Sequence, residues 1–295
     1  MSTTTTRKQR RRKMEGFPKT ITRFGYTVTL HTPNYATVSG GRLAEPVGVR
    51  KLLGEGDLNP KTEKNSVPTM GLSLYPYDGI GFGNVCPFAV TCIDSCLAKQ
   101  GQGPVPSVEG ARVAKTVLWY LARRWFLEKL NRELVRFRAA HPADDTVGVR
   151  LNMFSDIPWE SFGVIDAHPS ITFYDYSKDP SRWGFVRPNY WITFSYDGVN
   201  GAAAESILRA GGNVSVVFYL ETDDPVCGKA AHRQPLPATW NGFEVIDGGT
   251  TDWRPEDRRG VVVGLRLLAR TYDSRNKGIC SGFAQKIDPL LPILS

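Results

Sequence analysis

Tyr190-Trp-Ile-Thr-Phe-Ser-Tyr-Asp197, Ala202-Ala-Ala-Glu-Ser-Ile-Leu-Arg-Ala210 and Val214-Ser-Val-Val-Phe-Tyr-Leu-Glu221 follow one another with only short polar joins. The outer runs are rich in β-branched and aromatic residues and have the length of strands. The middle run is an alanine-rich helix former stopped by Gly211-Gly212. Two near-continuous apolar strands on either side of a helix predict a parallel β–α–β unit.

The same kind of run recurs outward from this unit. Residues 171–176, 147–154 and 70–75 precede it, and residues 243–246 and 261–268 follow it. Between residues 75 and 147, Val113, Val117, Leu121, Phe126, Leu127, Leu130, Leu134 and Phe137 recur at helical spacing. They predict one long helix from Ser107 to about Ala140, ended by His141-Pro142. The alternation predicts an α/β chain with a single domain over residues 21–295. Its core is expected to be a parallel sheet of about six to eight strands, a partial or complete β/α barrel of TIM-barrel-like form.

Polar residues close these strands at one end. They are Asn152, Ser155 and Asp156, then Asp175, Ser177 and Lys178, then Ser195 and Asp197, with Glu221, Asp247 and Arg266 later. In parallel sheets the C-terminal edge is where sites are assembled, so a small-molecule pocket at the barrel mouth is expected. Asp156, Asp175, Lys178 and Asp247 are the candidate catalytic residues. Asn152, Ser155, Ser195 and Arg266 are the candidate cofactor-binding residues, with Lys178 and Arg266 suited to a carboxylate or phosphate.

Three of the five cysteines fall within eleven residues, Cys86-Pro-Phe-Ala-Val-Thr-Cys92-Ile-Asp-Ser-Cys96, behind a Gly79-Ile-Gly-Phe-Gly83 stretch. Clustered thiols without a neighbouring histidine suit a soft metal. An iron–sulfur cluster, of the four-iron type with one iron left open, is expected on Cys86, Cys92 and Cys96 in a loop over residues 79–103. Zinc is the alternative, with Cys227, His232 or Cys280 as a fourth ligand. A three-cysteine loop after the first parallel strand is similar to that of radical S-adenosylmethionine enzymes, although their usual C-x3-C-x2-C spacing is not matched here. The glycines either let the backbone approach a cluster or supply turns.

The composition, 41 % hydrophobic and 22 % charged, is that of a globular chain with a sizeable core. No apolar run approaches the roughly 20 residues of a membrane span, and no apolar segment follows the basic N-terminus, so a cytoplasmic protein without a membrane partner is expected. The formal charge of +8 is concentrated at one end. Residues 1–23 hold Arg7, Lys8, Arg10, Arg11, Arg12, Lys13, Lys19 and Arg23 against Glu15, or +7, leaving +1 for the rest. Residues 1–20 therefore read as a disordered basic tail able to hold nucleic acid through its phosphates.

Several segments resemble the gene-product-88-like family of phage- and plasmid-encoded proteins. They are Asn84-Val-Cys86-Pro with Cys92 and Cys96, Val149-Arg-Leu-Asn152 with Ser155-Asp-Ile-Pro-Trp-Glu160, Phe173-Tyr-Asp-Tyr-Ser-Lys178, Trp191-Ile-Thr-Phe-Ser195, Val245-Ile-Asp-Gly248 with Asp252 and Arg254, and Val263-Gly-Leu-Arg266. The resemblance runs over roughly residues 65–285 and implies a phage or mobile-element origin and one compact domain; it brings no reaction with it. Where family members tend to carry Asp-Gly-Asp-x-His-Asp, this chain has Asp247-Gly-Gly-Thr-Thr-Asp252.

Two functions follow as expectations. One is an iron–sulfur enzyme of radical S-adenosylmethionine type, with its pocket at the strand ends. The other is a nucleic-acid-binding protein with a structural metal, in which the tail holds phosphates and Trp159, Trp183, Trp191, Tyr174 or Tyr196 stack bases. A zinc hydrolase has less support: the four histidines are scattered, with His141 and His168 reading as surface residues, and no Gly-x-Ser-x-Gly is present.

Overall fold

The computed structural model describes residues 16–55, 64–96, 98, 104–184, 187–221, 233–268, 272–288 and 292–294. Strands β1 (Lys19–Arg23), β2 (Tyr26–Thr32), β3 (Tyr35–Gly40) and β4 (Val47–Val49) form a small antiparallel meander. Tyr26, Val28 and Leu30 alternate inward along β2, so one face of the meander is core. Strand β1 begins at Lys19, inside the stretch 1–20 expected to be tail. The basic run at residues 7–13 lies outside the described residues.

The remaining elements are β5 (Leu53–Glu55), β6 (Thr69–Leu72), α1 (Pro106–Leu121), α2 (Arg123–Ala140), β7 (Gly148–Arg150), β8 (Thr172–Ser177), β9 (Tyr190–Ser195), α3 (Gly201–Arg209), β10 (Val214–Tyr219), β11 (Thr239–Trp240), β12 (Phe243–Asp247), β13 (Val262–Arg266), α4 (Tyr272–Cys280) and β14 (Ala284–Lys286). Ten strands form one mixed sheet in the order β11-β12-β13-β10-β9-β8-β7-β6-β5, with β14 also on β10. The strands from β12 to β6 along this path run parallel, while β11 and β5 are antiparallel at its two ends. The α/β class and the parallel core are as expected. The strand path is open, and among the described residues β11 and β5 do not pair to close a barrel.

The expected single long helix is two, α1 and α2, bent at Ala122 (φ −136°, ψ 43°). Trp119 and Phe126, one turn either side of the bend, gather around Trp159 with ring centroids 5.0 and 6.5 Å away. Both helices cover one face of the sheet, with Val149, Leu151, Phe173 and Tyr190 in their shared core. Farther along the same face, Phe194, Val214, Val216 and Val262 pack with Ile207 and Leu208 of α3. Buried Lys129 ties the meander on: its Nζ donates to the carbonyls of Asn34 (3.1 Å) and Arg50 (2.7 Å) and faces Glu133 at 2.7 Å.

The period of two turns Arg150, Tyr174 and Tyr176 to the opposite face. There the β12–β13 connection crosses them. Arg150 Nη1 donates to both oxygens of Asp252 (2.9 and 2.8 Å), Tyr174 Oη donates to Asp252 Oδ2 (3.3 Å), and Trp253 stands edge-on to Tyr174.

Candidate functional site

The chain leaves β6 at Leu72 and enters α1 at Pro106, and the cysteine loop lies in between. It folds over the C-terminal ends of the parallel strands and is tied down at several points. The Asp156 N–H donates to the Val85 carbonyl at 2.7 Å, and the Cys86 thiol donates to the Phe154 carbonyl at 3.3 Å. Thr91 Oγ1 donates to the Asp197 carbonyl beyond β9, and Arg112 Nη1 of α1 donates to the Ala98 carbonyl at 3.2 Å. The loop also touches α4, where a Cβ on Gly278 would stand 2.9 Å from Ser95 Oγ. The glycines before the first cysteine serve turns and packing: Gly83 has φ +68°, and a Cβ there would run into the Tyr120 ring.

This path brings together residues far apart in sequence. Lys178, just past β8, donates from Nζ to Ser195 Oγ at the end of β9 (3.2 Å) and from its backbone N–H to Asp156 Oδ2 (2.8 Å). Cys86 lies within electrostatic reach of Cys96, Asp156 and Lys178, and burial pushes its thiol up to about 12. Cys96 in turn lies within reach of the Arg112 guanidinium, which sits 4.3 Å over the Phe154 ring. In kind, the donor set fits a thiophilic metal: Cys86, Cys92 and Cys96 are all thiols outside any disulfide and all partly accessible. In position it is not assembled: Cys86 and Cys96 are within electrostatic reach of each other, but no group of three or more metal-binding side chains converges among the described residues. Cys280 is exposed at the end of α4; Cys227 and His232 lie outside the described residues.

Asn152, Ser155, Asp156 and Asp175 are also together, but as a buried network. Asn152 Oδ1 accepts from Ser155 Oγ (2.8 Å), Ile157 N (3.0 Å) and Trp159 Nε1 (3.1 Å), while its Nδ2 donates to the Ile157 carbonyl (3.0 Å) and Asp175 Oδ2 (3.2 Å). Asp175, fully buried, also accepts from the Asn152 N–H (2.7 Å) and Tyr190 Oη (2.8 Å). Burial pushes its carboxyl up to about 7, opposed by Arg182. Arg182 donates to Tyr190 Oη (2.6 Å), Asp156 Oδ1 (2.7 Å) and both oxygens of Glu160 (2.8 and 3.1 Å). With donors and acceptors matched, this network fixes the loop that carries Phe154 and Asp156 under the cysteines. Sequence reading missed Arg182 and Arg112, and no pattern in the chain marks either.

A model of the Gene product 88 family matches residues 49–281. The chain belongs to that family. The matched stretch omits β1 to β3 and takes in everything from β5 through α4, so the cysteine loop and the Asn152 network both lie in the Gene product 88 part of the molecule. No match was found among curated proteins or among solved structures.

Within that part, Asp247 and Arg266 are each other's partners. Arg266 Nη1 and Nη2 donate to the two carboxylate oxygens (2.7 and 2.9 Å), and Nε donates to the Gln234 carbonyl (2.6 Å). The guanidinium bonds hold the Asp247 carboxyl below its ordinary value against the opposing effect of burial. Arg266 is thus committed to the protein rather than presented to a ligand. Among the aromatics expected to stack bases, Trp159 and Tyr174 are fully buried and Tyr196 is buried, which leaves only Trp183 and Trp191 partly accessible. His168 is also buried rather than on the surface, with Nε2 2.9 Å from Asn131 Oδ1. No helix among the described residues is long and apolar enough to cross a membrane.

Proposed function

We propose that this chain is an iron–sulfur protein that holds its cluster with Cys86, Cys92 and Cys96 at the C-terminal edge of the parallel sheet, beside a ligand site walled by Lys178 and Ser195. The path of the cysteine loop carries the proposal. It follows the first parallel strand, β6, and lies across the ends of β7 and β9 with Cys86 and Cys96 within electrostatic reach of each other. When bound, a four-iron cluster on three thiolates keeps one iron open and supplies one-electron chemistry that side chains lack.

The chain's own residues prepare this edge. Lys178 brings a positive charge within reach of Cys86, where it works against the burial that raises the thiol, and Arg112 brings another within reach of Cys96. Ser195 orients the Lys178 ammonium, while Asp156, itself held by Arg182, fixes the Lys178 backbone. An ammonium so placed suits a ligand carboxylate. The finer reading is that this ligand is S-adenosylmethionine and that the reaction begins with its reductive cleavage.

Protein purified without oxygen should be brown, absorb broadly near roughly 400 nm as thiolate-bound iron–sulfur does, contain iron and sulfide, and lose both on Cys86→Ala. The reduced protein should then cleave S-adenosylmethionine. Colourless protein with stoichiometric zinc would overturn the cluster, and an intact cluster without cleavage would overturn the enzymatic part alone. Nucleic-acid binding with a structural metal rests on the basic run at residues 7–13. It loses most of the aromatics it called on, and is the weaker reading.

A further inference from the structure

A cleft of about 380 Å3 opens at the N-terminal ends of β9, β10 and β13, the edge of the sheet opposite the cysteine loop. Its volume is in the roughly 300–1,000 Å3 range of small-molecule sites. Two indoles, Trp183 and Trp191, share its wall with Arg187, Arg254 and Arg259. These arginines are not equally committed. Arg187 pairs with Asp166 at 2.7 Å near the surface. Arg259 is exposed and has no ion pair among the described residues.

Arg254 is only 3 % exposed. Its Nη2 donates to the Thr251 carbonyl, but Nε is buried without a hydrogen-bond partner. Nη1 is paired with Asp257 Oδ2 at 3.0 Å, an attraction that opposes the burial raising the Asp257 carboxyl, so Nε is the donor left without a partner. A guanidinium has five N–H donors, and buried donors left unspent are costly unless something brought into the cleft supplies acceptors. Phosphate oxygens match the guanidinium fork, and indole faces accept a flat ring regardless of its identity.

The geometry points to a mononucleotide site in this cleft, with the phosphate on Arg254 and Arg259 and the base against Trp191 or Trp183. Asp257 makes the site selective, because a ligand must compete with its carboxylate for Arg254 and a weak anion does so poorly. Arg182 and Tyr190, also in its wall, belong to the buried network behind Asp156, but none of the three cysteines lines the cleft, so binding there does not require a cluster.

Adenosine 5′-monophosphate, adenosine and inorganic phosphate can be titrated separately into the full chain, following tryptophan fluorescence and heat. The monophosphate should quench and should bind at least about tenfold tighter than either half, as expected when ring and phosphate contacts add. Arg259→Glu, at an exposed position that leaves folding intact, should weaken the monophosphate about tenfold or more and leave adenosine unchanged. Trp191→Leu should weaken both; should that variant fail to fold, Arg259→Glu carries the test alone. Inorganic phosphate binding as tightly as the nucleotide, nucleotide binding untouched by Arg259→Glu, or no binding at all would each overturn the proposal.

Discussion

Replacing Asn152 by Asp changes almost no atoms and tests the buried network directly. The new carboxylate keeps the acceptor used by Ser155, Ile157 and Trp159 but cannot donate to the Ile157 carbonyl or to Asp175 Oδ2, 3.2 Å away. Two like charges at that separation repel by about 5 kcal/mol at an effective dielectric constant of about 20. A buried carbonyl left without its donor costs about 2 kcal/mol more. At pH 8 the pair escapes that repulsion by keeping one proton, which costs only about 1.4 kcal/mol for a carboxyl that titrates at about 7, so the total loss should be about 3 kcal/mol.

At pH 5 the balance changes. Asp175, whose carboxyl titrates at about 7 in the native protein, is protonated there with or without the substitution. One proton shared between the two carboxyls then removes the repulsion and replaces the missing N–H, leaving only the carbonyl's roughly 2 kcal/mol. The sign is that Asn152→Asp gains stability relative to wild type as pH falls through about 7. Urea unfolding of both proteins at pH 5 and pH 8, followed by tryptophan fluorescence, measures the difference. A loss below about 1 kcal/mol at pH 8, or an equal loss at both values, would refute the assignment of Asn152 as the network's double donor.

Three further outcomes are expected. Arg150→Met strands Asp252 beside the sheet and should cost about 3–5 kcal/mol, most of it recovered in Arg150→Met with Asp252→Leu; a double-mutant cycle in urea checks this. Gly198, with φ +92° just past β9, would press a Cβ into the Gly282 carbonyl, so Gly198→Ala should lose more than about 2 kcal/mol. Gly25→Ala, at φ +76° with open space around it, should lose only about 1 kcal/mol, and denaturation midpoints of the two compare them. Burial lowers the Lys115 ammonium to about 8, while in the unfolded chain it stays protonated to about 10.4. The unfolded state then binds more protons between those values, so stability from this group should rise by up to about 3 kcal/mol from pH 8 to pH 10. Lys115→Met should remove that rise when thermal unfolding is compared at the two pH values.

The amino-acid order determined what depends on neighbours. Runs such as Tyr190-Trp-Ile-Thr-Phe-Ser195 and Val214-Ser-Val-Val-Phe-Tyr219, with an alanine-rich helix between, appear in the structure as β9, α3 and β10. Both signals are periodicities within a few residues, so one chain suffices to read them. The position of the cysteine loop after the first parallel strand was legible for the same reason. The short strands β11, β14 and β1 were not, because they exist only through pairing with a partner elsewhere. Whether the sheet closes was equally hidden, since closure depends on how its two ends meet.

The candidate site divides along the same line. That Asp156, Asp175, Lys178 and Ser195 stand at strand ends follows from the alternation of the chain. What each does there was decided by tertiary contacts: Arg182 reaches 26 residues back to Asp156, Arg150 reaches 102 residues forward to Asp252, and Arg266 turns to Asp247. An acid next to a strand reads the same in sequence whether it faces a pocket or a buried guanidinium. Only the fold removes water from one and leaves it on the other, and that desolvation is what separates a network residue such as Asp175 from a candidate site residue such as Lys178.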